Sequence, residues 1–489
     1  MAAHQQHAPQ RCHVHVVQMM QTFPGCASAQ RWGARAIARI IRDDGTQDFA
    51  ARELGRAGAC EAVAAALAAH LAVASVQGAA LHAASKLVRE SARNWRRFEA
   101  AGLCASVVAS MRAHALDSGI QLRGACVIVE VLGVTASVGD ATGDASEHVV
   151  FKDSLTAARA DGVLVRALQN HRRDPGTAAA VLHAVESLAR AWTGAEALAF
   201  CAAGGACAVV ACVGAHACDW EVQMQSLSAL IMLLDSDVHG SVAVTAKFLA
   251  AGAIAAVTAA LRAIPLARAE ASLALDAVSC LAAHGAAAQL VAAGAAEHVV
   301  AAARAYTGAD LCDEHPLAGL TSAVGAISQL AESGEHACVR LREAGECEAV
   351  PAALASLPLP EDWGGLTAVA HLFCLSSIES LASSGSSVGA GAVDCLARAG
   401  ACEAVVDTLR EFLKQVKGER LVTDTVKAAI DAMIVLTKSS CVAAQLGCAG
   451  ARSAVASAMA AYPEHEDMQE RGTMLKDNLA AAAASRSRK

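Results

Sequence analysis

The sequence predicts an all-α protein built as a stack of helical repeats, and three observations carry that expectation. The chain has 489 residues, too many for one ordinary compact core, so it divides into domains or repeats. It is 55% hydrophobic but only 3% aromatic. Much of the apolar content is Ala, a strong helix former whose small side chain lets helices approach closely. Finally, the string "RAGACEAV" stands at 56–63 and again at 398–405, with "EAGECEAV" at 343–350.

Relatives of that string run along the chain, from "AAGLCASVVASM" (100–111) to "CAGARSAVASAM" (448–459). Their anchor glycines are Gly58, Gly102, Gly162, Gly205, Gly252, Gly294, Gly345, Gly400 and Gly450, spaced 44, 60, 43, 47, 42, 51, 55 and 50 residues apart. A recurring unit of this length, with insertions on top of a minimum period, marks a helical solenoid.

Each unit reads as three pieces. A short helix ends in Ala-Gly, as in "NWRRFEAAG" (94–102) and "VTAKFLAAG" (244–252). The Gly is placed just past a helix end, where a positive φ turns the chain and Gly accepts it at least cost. A second helix follows with apolar residues at i, i+4, such as Val63/Leu67 and Val405/Leu409. A longer helix closes the unit, as in "SVQGAALHAASKLV" (75–88) and "EVQMQSLSALIMLL" (221–234), with Ala80, Ala83 and Leu87 on its buried stripe. The Cys at 60, 207, 347 and 402 reads as one repeated packing position beside the bend.

Residues 1–11 are expected to be a disordered segment, 12–479 the solenoid, and 480–489, "AAAASRSRK" and its preceding residue, a disordered basic tail. Gly/Ser/Asp/Pro-rich insertions near 134–155, 307–319, 356–365 and 383–392 are expected to be loops on the rims.

Net charge is −8 but uneven. Residues 1–125 hold 14 Lys/Arg against 8 Asp/Glu, net +6, which leaves 25 against 39, net −14, for the remainder. The acidic sum argues against a general nucleic-acid binder. The 18 cysteines lie in apolar helical stretches without a CxxC pair, as expected of reduced thiols in a cytoplasmic protein, with a nuclear one as the alternative. Residues 1–42 carry five Arg and no acid, a composition also compatible with mitochondrial or plastid import, although Gln30–Gly58 fits the repeat. No run of strongly apolar residues is read as a membrane span.

The strings "AG-x-x-x-x-V-x-x-x-L" and "V-Q-x-x-A-x-x-A-x-x-x-L", together with the short helix before each Gly, resemble the armadillo repeat over nearly the whole chain, as about nine to ten repeats. Two-helix HEAT units are the nearest alternative. The resemblance implies a right-handed superhelical solenoid that binds peptides or proteins along a concave groove lined by the long helices. In the family's nuclear import adaptors, Asn and Trp ladders on those helices hold an extended peptide. Here the Asn-equivalent positions are Arg39, Lys86, Glu130, Ser187, Met232, Cys280, Gln329, Ser380 and Val435. The Trp-equivalent ones are Arg35, His82, Cys126, His183, Ser228, Asp276, Gly325, Ser376 and Asp431. Neither ladder is present. The sequence is more similar to plain scaffold arrays, such as the armadillo region of leucine-rich-repeat kinases and vacuole-associated armadillo adaptors.

No catalytic constellation stands out. "GSSVG" (385–389) is a formal G-x-S-x-G around Ser387, but it lacks the preceding strand that a nucleophile elbow needs. Cys201, Cys207, Cys212, His216 and Cys218, and the amino-terminal His4, His7, His13 and His15, lack the spacing of a zinc site. The expectation is a non-catalytic scaffold or adaptor with no metal, cofactor or small-molecule substrate, its protein or peptide partners unidentified. A transport or targeting receptor is the alternative. The candidate partner-binding residues are the amino-terminal cations Arg31, Arg35, Arg39, His82, Lys86 and Arg89, with Arg93, Arg96 and Arg97 of "RNWRR" nearby. They would take an acidic or phosphorylated segment, and Trp95 would offer a stacking surface.

Overall fold

The computed structural model describes residues 7–41, 47–91, 93–142, 146–235, 241–266, 268, 270–309, 311, 313–358, 365–383, 386–415 and 420–487. Among them are helices and turns without strands. The chain forms two compact units, Met1–Gly252 and Ala253–Lys489.

In the first unit the second helices are His7–Thr22, Ala59–Ala69, Leu103–Ala113, Ala160–His171 and Gly205–Ala215. The long helices are Ala27–Ile40, Ala74–Arg89, Ser118–Thr142, Pro175–Ala189 and Trp220–Asp235, and each packs against the next. The short helices are Gln47–Arg56, Asn94–Ala100, Ser146–Ala157, Gly194–Ala202 and Ser241–Ala250. The second unit repeats the scheme, with long helices Glu270–Leu281, Glu314–Glu332, Gly365–Ser383, Arg420–Leu436 and Glu466–Ser487 side by side. Its second helices are Ala253–Ala263, Ala295–Thr307, Glu346–Ser356, Ala401–Phe412 and Ala451–Ala461. Ala80, Ala83 and Leu87 are fully buried, as the pattern anticipates.

The bend between short and second helix is a left-handed residue. Gly58, Gly102, Gly204, Gly252, Gly294, Gly345, Gly400 and Gly450 take φ between 69° and 100°. Two expected anchors are corrected. Gly205 lies one residue past its hinge, inside the helix Gly205–Ala215; Gly204 makes the turn. A Cβ on Gly205 would come within 2.3 Å of the Phe200 ring, so its small size serves packing. Gly162 lies inside Ala160–His171, and the hinge is Arg159, at φ 61° and ψ 50°, the one non-glycine residue with positive φ among the described residues. An L-residue held there costs about 1–2 kcal/mol.

This register also corrects the repeated cysteine. Two residues past the hinge stand Cys60, Cys104, Cys347 and Cys402, all buried, whereas Cys207 is exposed. Burial pushes the Cys104 and Cys402 thiols up to about 12, which suits packing and not nucleophilic chemistry.

Successive repeats are latched at the hinge. Ten residues past one hinge, on the second helix, a long polar side chain reaches the next hinge. Arg112 donates to the Ala158 carbonyl (3.0 Å), Arg262 to Ala293 (2.8 Å), Arg304 to Gly345 (2.9 Å) and Arg410 to Ala449 (2.9 Å). At Ala158, Ala293 and Ala449 the guanidinium satisfies a carbonyl left open at the end of the short helix and sits at the negative end of its dipole; the Gly345 carbonyl also accepts the Ala349 N–H. A Cβ on Gly345 would lie 1.9 Å from Arg304 Nη2, and one on Gly450 2.2 Å from Arg410 Nη2. The hinge glycine therefore makes room for the latch as well as the turn. Gln21 and Gln169 take the arginine's place beside Gly58 and Gly204. At Gly102, Gly252 and Gly400 the corresponding residues are Ala68, Gly214 and Ala355, and a Cβ there would meet nothing within 4 Å.

A second device closes five of the repeats internally. Gln77 Nε2 donates to the carbonyls of Leu67 and His70, which end the second helix (both 2.9 Å). Gln30, Gln121, Gln223 and Gln469 each make the same pair of bonds, ten and seven residues back. In the first unit a histidine twelve residues past the hinge ties this turn to the preceding repeat. His70, His114, His171 and His216 donate through Nε2 to the carbonyls of Pro24, Leu71, Ala115 and Arg172, at 2.6 to 3.0 Å. In the second unit Tyr306 does so with its hydroxyl, on Leu266 (2.8 Å).

Several expected boundaries differ. A helix begins at His7, within the stretch expected to be disordered, and the last one reaches Ser487, through most of the expected tail. Helices Ser118–Thr142 and Ser146–Ala157 run through most of 134–155, and Ser386–Arg398 through much of 383–392. In these cases the helical pattern of the neighbouring turns outweighs small polar residues. Residues 1–6, 359–364, 384–385 and 488–489 lie outside the described residues. Ala271–Ala292 and Gly365–Ser383 are long and apolar enough to cross a membrane, contrary to the reading of the sequence, with 50% and 56% of their apolar windows buried inside the protein. A long helix covered by neighbours on both sides becomes apolar over most of its circumference.

Two outcomes are expected. Gly102→Ala should lower stability by about 1 kcal/mol, the cost of a left-handed Ala. Gly345→Ala should lose about 1.5–3 kcal/mol more with the displaced Arg304 bond. Equal shifts in denaturant midpoint would contradict the latch. His371, 3% exposed and edge-on to the Phe412 ring at 5.1 Å, is pulled down from 6.5 to about 4 by burial, against its bond to the Thr367 carbonyl. Between those values the unfolded chain binds the extra proton, so stability falls as pH falls through the window. Relative to His371→Gln, the protein should lose about 3 kcal/mol from pH 6.5 to 4 in parallel melts.

Candidate functional site

The amino-terminal cations fall on two different surfaces. The helix Ala27–Ile40 buries Gln30, Gly33, Ala34, Ile37 and Ala38, which leaves Trp32, Arg35 and Arg39 on its outer stripe, at i, i+3 and i+7. Trp32 is 55% exposed. The Arg31 and Arg35 guanidiniums stand over its ring at 5.2 and 5.5 Å from the centroid, within cation–π range. Arg35 and Arg39 form no ion pair among the described residues.

The neighbouring long helix, Ala74–Arg89, continues the stripe with exposed His82 and Arg89 and half-buried Lys86. Partial burial, then the charges of Arg123, Lys86 and Arg89, hold the His82 imidazole below its ordinary value. His82 is thus a neutral hydrogen-bonding group among cations near neutral pH. Arg89 is already engaged: it bonds Glu130 of the next long helix at 2.7 Å. Arg123, on that same helix and exposed, belongs to the patch, although sequence reasoning passed over it. The glutamine bridges set the register, because Arg39, Lys86 and Glu130 each lie nine residues past one of them. The same count from Gln469 reaches Asn478, a side chain in the Asn-ladder position that bonds Thr437 Oγ1 at 3.0 Å.

Arg93, Arg96, Arg97 and Trp95 lie elsewhere, on the short helix Asn94–Ala100. Arg97 bonds Glu61 of a second helix at 3.1 Å. Trp95 is 6% exposed and packs edge-on against Phe151, centroids 5.7 Å apart, with Arg96 over its ring. It is a core residue and offers no stacking surface. The exposed indole among these cations is Trp32, which the spacing "RWGAR" (31–35) could have signalled: Arg, Trp and Arg share one helical face.

No three His, Cys, Asp or Glu side chains among the described residues are grouped to hold a metal. Ser387 falls in the helix Ser386–Arg398, and its side chain lies outside those described.

Solved structures share this architecture. An engineered protein determined as a structural-genomics target is similar over 95% of this chain and 98% of its own, with 17% identity and a TM-score of 0.72. A chain from a study of a phosphorylation switch controlling the interaction between cadherin and beta-catenin is similar over 98% of this chain and 97% of its own, with 14% identity and a TM-score of 0.65. A designed armadillo repeat protein in complex with the peptide (KR)4 is similar over 53% of this chain and 93% of its own, with 19% identity and a TM-score of 0.40. No family model and no curated protein matches the sequence. The chain has the armadillo-repeat fold.

The two tryptophans should respond oppositely to truncation. Trp95→Ala should cost about 3–5 kcal/mol of stability, whereas Trp32→Ala should stay within about 0.5 kcal/mol. Chemical denaturation of both variants checks the assignment; comparable losses would contradict it.

Proposed function

We propose that the protein is a non-catalytic scaffold or adaptor whose first-unit long-helix face binds an acidic or phosphorylated segment of a partner protein. The observation that carries this reading is the exposed Trp32 flanked by Arg31 and Arg35, continued by Arg39 on the same helix and by His82, Lys86 and Arg123 on adjacent helices. A guanidinium stacked on an indole keeps its N–H edges free for paired bonds to carboxylate or phosphate. The ring gives the same segment an apolar contact.

The fold supports a binding role, since one of its solved examples comes from a study of the cadherin–beta-catenin interaction. A transport or targeting receptor is the weaker reading, because the Asn and Trp ladders are absent from the positions read in the sequence. Free thiols throughout the described residues support a reducing, cytoplasmic setting.

Reversing Arg35, Arg39 and Lys86 to Glu should reduce binding of a fluorescent poly-glutamate decapeptide more than tenfold, with an unchanged melting curve. Equal binding by the native and reversed proteins would sink the proposal.

A further inference from the structure

Away from the long-helix face, the first unit contains a cavity of about 260 Å³ between the second helices Leu103–Ala113 and Ala160–His171. Three arginines line it: Arg112 from one helix, Arg166 from the other, and the hinge residue Arg159. Its floor includes Met111, Val163 and Gly162, where a Cβ would meet nothing within 4 Å. No carboxylate lines it.

These arginines are incompletely used by the fold. Arg112 spends one nitrogen on the Ala158 carbonyl, and Arg159 meets Asp161 at 3.3 Å with its side chain 75% exposed. Such an exposed pair contributes little. Arg166 is exposed and makes no hydrogen bond or ion pair among the described residues. Arg159 moreover holds the left-handed conformation that glycine supplies at the other hinges. Strain retained at a single position, beside a cavity, points to a ligand contact. With Asp161 counted, the three cations leave a net charge of 3 − 1 = +2.

We propose that this cavity binds a phosphate monoester. A phosphate monoester carries about −1.5 to −2 charges near neutral pH, and its oxygens accept paired bonds from guanidinium forks. The first turn of Ala160–His171 adds the positive end of a helix dipole. The volume lies below the roughly 300 Å³ at which pockets for drug-sized ligands begin, so it suits one phosphorylated side chain or a small free monoester. The site uses second-helix residues, and it stands or falls separately from the acidic-segment reading of the long helices.

The test is calorimetric titration of the full chain with O-phosphoserine and with inorganic phosphate. Native protein should bind both, and Arg159→Gly and Arg166→Gln should each weaken binding at least tenfold. Arg159→Gly relieves the hinge and should raise the melting temperature without ligand, which separates lost binding from lost folding. The long-helix variant with Arg35, Arg39 and Lys86 reversed should bind O-phosphoserine normally. Tenfold tighter binding of a phosphoserine octapeptide than of O-phosphoserine would identify a phosphoprotein source, and equal binding a free monoester. Absence of binding by native protein, or equal binding by the Arg159→Gly/Arg166→Gln double variant, would overturn the proposal.

Discussion

Four repeat junctions are each closed by a bond from a second-helix arginine to a carbonyl at the next hinge. It joins a charged donor in one repeat to a backbone acceptor in the following one, as Arg304 does at Gly345 and Arg410 at Ala449. A hydrogen bond to a charged group at a helix end is worth more than a neutral pair, and here it fixes distance and direction together. The glycine at the hinge is then needed twice, for its positive φ and for the space that a Cβ would take from the guanidinium. The internal glutamine bridges seal the carboxyl end of other second helices, and on Ala451–Ala461 both ends are tied, by Arg410 of the preceding repeat and by Gln469.

Much of this was legible in the letters. The period, the three-piece unit and the buried stripe of Ala80, Ala83 and Leu87 follow from spacing alone. The two misplaced anchors show where letters mislead. "GG" at 204–205 and "ADG" at 160–162 each offer a glycine close to the hinge, but the position is defined by its backbone angle, and Arg159 adopts that angle without announcing it. The cysteine series slipped by one residue for the same reason: counted from Gly204, the equivalent position is Ala206, and Cys104 joins the buried set.

The candidate site was half legible. The basic residues were visible as a cluster, yet sequence proximity joined two surfaces that the fold separates. In "NWRRF" the residues at i and i+3, Trp95 and Phe98, are both buried, the signature of a short helix's inward face. Partners such as Glu130 for Arg89 and Glu61 for Arg97 are 41 and 36 residues away. No local pattern reveals which cations such partners neutralise, so the free ones emerge only from packing.

The latch is unevenly distributed. Where Ala68, Gly214 or Ala355 stands in place of a long polar side chain, no side chain fills the space a Cβ on Gly102, Gly252 or Gly400 would take. Neighbouring repeats within a unit are accordingly joined by unequal numbers of side-chain bonds. Whether a hinge is bonded from the preceding repeat is thus decided by which residue occupies a single recurring position on the second helix, away from the long-helix surface that carries the cations.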